Sequence, residues 1–147
     1  MMRHHLILRV ITKLLVGAII LFGLYVQFHG DFSPGGGFQA GVIIAVAFIL
    51  YGVVFSLHHV QRVFPPWLVH KLLALGLLIY AFTGLYSFTR GFRYLDYAAF
   101  DPHHPSHGQH YGILLVEAGV GITVTGVMIA IYYAFAARTP VISDEEW

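Results

Sequence analysis

Four apolar stretches dominate this chain, and each is long enough to cross the roughly 30 Å hydrocarbon core of a bilayer, which takes about 20 residues of helix. They cover residues 6–28, 38–57, 68–88 and 112–137. Inside lipid the backbone finds no water to hydrogen-bond, so each stretch must satisfy its own polar groups as an α-helix. Pro34 and the glycines after it separate the first stretch from the second. Pro65-Pro66 separates the second from the third, and the more polar segment 89–111 separates the third from the fourth. The sequence therefore predicts an all-α integral membrane protein, one domain over residues 1–147, with four transmembrane helices and a short acidic tail at 143–147.

Composition supports the same reading. Of the 147 residues, 58% are hydrophobic and 10% are charged, against about 25% charged in ordinary soluble domains. A soluble core of this size cannot hide that much apolar side chain, so membrane lipid is the expected surrounding. A net charge of +1 argues against nucleic acid as a partner. With no cysteine, disulfides, thiolate metal sites and thiol catalysis are excluded. The basic start and apolar first run resemble a signal peptide, but no small-x-small cleavage pattern follows, so the run is read as a retained helix.

The basic residues orient the spans. Arg3, Arg9, Lys13, Arg62, Lys71 and Arg138 fall on one side, and Arg90 and Arg93 on the other. The positive-inside rule then expects both termini in the cytoplasm. The glycine loop and the 89–111 segment would face outward.

His29 to Ile43 reads HGDFSPGGGFQAGVI. Three successive glycines, Gly35, Gly36 and Gly37, are costly in backbone entropy, so they point to a tight turn, close packing or exposed amides. The stretch is not a nucleotide P-loop, because no Lys-Ser/Thr follows the last glycine and no strand precedes it. Gly37, Gly41 and Ala45 are spaced by four on the second span, and Gly112, Gly119 and Gly126 by seven on the fourth. Such stripes let helix backbones approach within the bundle, or dock to a neighbouring subunit.

Glu117 is the one acidic residue within an expected span. Five residues from the outer end it lies roughly 7 Å deep, where a charge costs on the order of 1–3 kcal/mol. Such residues often mark ion or proton paths; the structural alternative is a protonated carboxyl that ties two helices together. Gln27, His29, Asp31 and Gln39 form a polar collar expected on the same side. The segment from Asp101 to His110 holds four histidines, but Pro102, Pro105 and Gly108 argue against a regular helix there, so no metal site is expected. All ten histidines lie in loops or at helix ends, which disfavours paired haem ligation at mid-membrane depth.

Taken together, HGDFSPGGGFQAGVIIAVAFILYG and GILLVEAGVGITVTGVMIA resemble the B subunit of the Mrp (multiple resistance and pH) cation/proton antiporters, the MrpB/MnhB family. The resemblance covers roughly residues 6–137 and includes the acidic position at Glu117. Asp31 stands where a histidine is common in that family, and Ala40 where a glycine is common. The resemblance implies a small membrane subunit of a multi-subunit complex in a prokaryotic cell membrane that exchanges sodium for protons. Its partners would be the A, C, D, E, F and G type subunits. It implies no cofactor, with Na+ and H+ as transported ions, no enzymatic activity and no transport by this chain alone. Glu117 would line the ion path, with Pro34, Gly35, Gly36, Gly37, Gly41, Gly119 and Gly126 shaping loop and packing. B-like modules also occur in sodium-coupled membrane-bound hydrogenases, and a purely structural scaffold is a further alternative.

Overall fold

The computed structural model describes residues 6–30 and 34–138. Arg3, Asp31 and the 143–147 tail lie outside the described residues. Five helices follow in chain order: α1 (Leu6–Phe28), α2 (Gly37–Phe55), α3 (Leu57–Val63), α4 (Pro66–Thr89) and α5 (Pro105–Ala136). A short 3-10 turn, Tyr97–Phe100, lies between α4 and α5. Among the described residues there is no strand. α1, α2, α4 and α5 are each long and apolar enough to cross a membrane.

The helices form a row, α1–α2–α5–α4, with α2 and α5 at its centre. α1 packs on α2, α2 on α5, and α5 on α4, while α4 shares no substantial interface with α1 or α2. One end of the row carries Arg9, Lys13, Arg62, Lys71 and Arg138; it is called the basic end below. The other holds the turn between α1 and α2, the segment from Arg90 to His104 and the start of α5.

The two ends are packed by different means. Near the basic end Ala45, Val60, Val69, Ile129 and Tyr133 form a buried cluster, joined by Phe48, Phe64 and Leu73. The Tyr133 hydroxyl donates to the Phe64 carbonyl at 2.6 Å, which ties α5 to the end of α3. Toward the loop end the helices meet backbone to backbone. A methyl group added at Gly119 would lie 2.9 Å from the Gly76 carbonyl oxygen of α4 and 3.1 Å from the Tyr80 amide nitrogen. One at Gly41 would lie 2.7 Å from the Gly121 carbonyl oxygen. α5 thus carries glycine on two faces. Gly119 and Gly126 turn to α4, and Gly121 turns to α2.

Three boundaries differ from the sequence expectation. α2 ends at Phe55, where Ser56 takes φ = 106° and starts the separate helix α3. α4 starts at Pro66, where proline's missing amide and fixed φ suit the first helical position. α5 starts at Pro105, not near Gly112, for the same reason. Gly108, expected to break a helix there, lies inside it because the Tyr97 carbonyl oxygen would come within 2.6 Å of any side chain. At 32 residues, α5 is about 48 Å long by its rise of 1.5 Å per residue. That exceeds the hydrocarbon core.

Overfilling these contacts should separate the row. Gly119→Val, with two backbone atoms in its way, is expected to destabilise the fold by about 1–3 kcal/mol. Thermal unfolding of the detergent-solubilised complex measures it; an unchanged midpoint would show that α4 and α5 do not depend on this approach.

Candidate functional site

The site forms where α1 ends, α2 begins and α5 packs against both. The turn after α1 is closed by the His29 amide, which donates to the Val26 carbonyl at 3.3 Å. Gly30 follows. The chain enters α2 through Gly36, whose φ of +136° is a region L-residues rarely adopt. The Ala40 amide then donates to the Gly36 carbonyl at 3.0 Å, the first turn of α2.

Glu117 fills the space these glycines leave. Its backbone carbonyl lies directly against Gly37, so that a methyl group there would come within 2.7 Å of the carbonyl carbon. Its carboxylate reaches past Gly36 to Gly30. A methyl group at Gly36 would lie 2.9 Å from Oε1, and one at Gly30 would lie 2.6 Å from Oε1 and closer still to Oε2. The carboxylate is half-buried and sits at the N-terminus of α2. There the free amides of the first turn carry partial positive charge, which favours an anion.

A polar seam continues from Glu117 along α5. Gly121 is one turn on, and the Gln27 side-chain oxygen lies against it. Gln27 is only 8% exposed, and its Nε2 is the buried side-chain polar atom that lacks a hydrogen-bond partner among the described residues. One turn further, the Thr125 hydroxyl lies 2.8 Å from the Gly121 carbonyl and 3.1 Å from the Gly41 carbonyl of α2. Its single proton is shared between these acceptors, so it links α5 to α2. From Glu117 to Thr125 the seam is about 12 Å long. Gln27 and Thr125 also line a cavity of about 220 Å³, otherwise apolar, which reaches Leu72 of α4.

The other sequence candidates are distributed as follows. His29 is half-buried at the loop end and stacks on Tyr25 with ring centroids 4.9 Å apart. Gln39 is exposed and lines a groove with Pro34, Phe22 and Phe38 on the α1–α2 surface, away from Gln27. Gly35 is half-buried, and Gly36, Gly37 and Gly41 are buried. Gly119 and Gly126 face α4 and take no part in the site. His104 and His107 have ring centroids 5.5 Å apart. Among the described residues no three His, Cys, Asp or Glu side chains converge on a point that could hold a metal. Sequence reasoning did not single out Gly30, Gly121 or Thr125 for the site. Gly121 and Thr125 follow Glu117 at i+4 and i+8, a spacing that puts them on one helix face. Gly30 carries no such signal, since only the tertiary fold brings it to Glu117.

Four membrane-length helices, with a carboxylate set into glycine at one end of their central pair, define a small polytopic membrane protein with an acidic site inside the bundle. A family model described as a domain related to the MnhB subunit of Na+/H+ antiporter matches residues 7–130. The antiporter subunit mnhB2 of Staphylococcus haemolyticus (strain JCSC1435) is 35% identical over 138 residues, 92% of this chain and 97% of that relative. The mnhB2 subunits of Staphylococcus epidermidis (strain ATCC 12228) and Staphylococcus aureus (strain Newman) are each 32% identical over 133 residues, 89% of this chain and 94% of theirs. The chain belongs to the MnhB family.

The glycine seat has a direct check. Gly36→Ala should destabilise the assembled protein by on the order of 1–3 kcal/mol through backbone strain, and Gly30→Ala by less, because the Glu117 carboxylate it meets is the flexible end of a side chain and can shift. Gly36→Val should be worse, since β-branching suits neither positive φ nor the space available. Gly17→Ala is the control, because nothing lies within 4 Å of that position. Equal thermal midpoints for all four variants would show that the seat is not built on glycine.

Proposed function

We propose that this chain is the MnhB-type membrane subunit of a multi-subunit Na+/H+ antiporter, and that Glu117 lines the cation path where this subunit meets its neighbours. The family membership supports the first part. The second rests on one observation: the Glu117 carboxylate occupies a seat that Gly30 and Gly36 leave open for it within a membrane bundle. A carboxylate used only for packing would be an expensive choice beside lipid.

A carboxylate is neutralised equally by one proton or one sodium ion. At such a site the two ions compete for one negative charge, which is the elementary requirement for exchange. Secondary transporters commonly pair inverted repeats around a central binding site, whereas the described residues of this chain offer one carboxylate within a single set of four spans. It would therefore act with the A, C, D, E, F and G type subunits, which complete the path. Na+ and H+ are cargo in this reading. The positive-inside rule places the basic end in the cytoplasm and Glu117 toward the outer surface. The chain is a transporter subunit rather than an enzyme.

Glu117→Gln keeps the shape of the side chain and removes its charge. The complex should assemble normally, with Na+/H+ exchange in membrane vesicles reduced at least about tenfold, a deficit that corresponds to roughly 1.4 kcal/mol. Normal assembly with a normal exchange rate would refute the ion-path role. Failure to assemble would instead make Glu117 a packing residue.

A further inference from the structure

The break between α2 and α3 builds a second polar feature, at the opposite end from Glu117. Ser56 holds φ = 106° and turns the chain so that His59 lines a cavity of about 230 Å³ together with Arg9, Val54 and Phe55. The Arg9 guanidinium lies 5.3 Å from the centroid of the Phe55 ring, and the Lys13 ammonium lies 5.7 Å from it. Two cations one helical turn apart repel each other, yet both are drawn to one ring. The acidic side chains among the described residues are Asp96, Asp101 and Glu117, and all belong to the loop end. No described carboxylate therefore neutralises this pair.

We propose that the pocket seats the phosphate of an anionic phospholipid headgroup. A phosphodiester carries one negative charge and two free oxygens, enough to bridge Arg9 and Lys13 and relieve their repulsion. His59 is set up to contribute. Its Nδ1 lies 2.9 Å from the Ser56 hydroxyl. When that hydroxyl donates, the ring proton sits on Nε2, which is free to donate to a phosphate oxygen. A lipid suits the site better than a free anion because Val54 and Phe55, at the last turn of a membrane span, line it beside Arg9 and His59. Basic pockets between spans at the cytoplasmic boundary are where lipid headgroups bind.

The test titrates the purified complex with phosphatidylglycerol and reads bound lipid on this subunit by native mass spectrometry. Removing both charges in R9Q/K13Q should weaken binding about 25-fold, at about a factor of five for each basic side chain near an anionic lipid. The charge-preserving pair R9K/K13R should regain most of that loss, which excludes misfolding as its cause. R62Q/K71Q removes the same charge from the same end and should change binding less than about threefold. Three results would each overturn the proposal. They are equal losses in R9Q/K13Q and R62Q/K71Q, equal binding of phosphatidylcholine, or displacement of the lipid by millimolar inorganic phosphate, which would mark a free-anion site.

Discussion

Lipid gives apolar helices no hydrophobic reason to associate, so this bundle depends on how closely the backbone of α5 can approach its two neighbours. Glycine on two faces of one helix solves that problem. Gly119 meets Gly76 on the α4 side, and Gly121 meets Gly41 on the α2 side. Dispersion falls steeply with distance, so a side chain in either contact would remove most of the attraction there. Near the basic end, Ile129, Val69 and the Tyr133–Phe64 hydrogen bond supply a more ordinary core. Among the described residues the loop half forms no comparable side-chain cluster, and glycine contacts hold the helices there.

The same close approach positions Glu117. Because its own backbone rests on Gly37, its side chain emerges beside the start of α2 and meets Gly36 and Gly30. The carboxylate therefore receives the field of a helix N-terminus. Packing and electrostatics are one device here: the glycines that let the helices touch also leave room for the charge. Gln27 extends the polar surface inward, with a buried amide nitrogen that lacks a partner among the described residues. Inside a membrane such a group is costly, which places Gln27 with the site rather than with the scaffold.

Much of this fold was legible because membrane helices answer to length and hydropathy. The four spans followed from the requirement of about 20 apolar residues, and Pro65-Pro66 marked the break before the third span, although the helix starts at Pro66 itself. The start of α5 was harder. Pro105 and Gly108 read as breakers, yet a proline at the first helical position starts a helix, and Gly108 is there to let Tyr97 pass. The break at Ser56, with φ = 106°, has no Gly or Pro at that position to announce it. Glu117 stood out as the lone acid of the spans. Its glycine seat did not, because Gly30 and Gly36 reach it only after the chain has folded back on itself. The collar shows the same limit: Gln27 lies in the seam and Gln39 lies on the outer surface, and no local pattern separates the two.

The row arrangement decides what a neighbouring subunit can reach. In a closed four-helix bundle, α4 would pack against α1 and cover the central pair. Here α4 takes the face of α5 that carries Gly119 and Gly126, so it does not cover Glu117. α1 lies at the opposite edge, with Leu14, Leu21, Phe22 and Phe28 exposed. The carboxylate is half-buried by glycine rather than sealed beneath large side chains. A glycine wall is thin, and it keeps the charge within reach of the surface while α2 holds its backbone in place. That combination, a carboxylate held behind little protein, is what the proposed path between subunits would require of the one that contributes the charge.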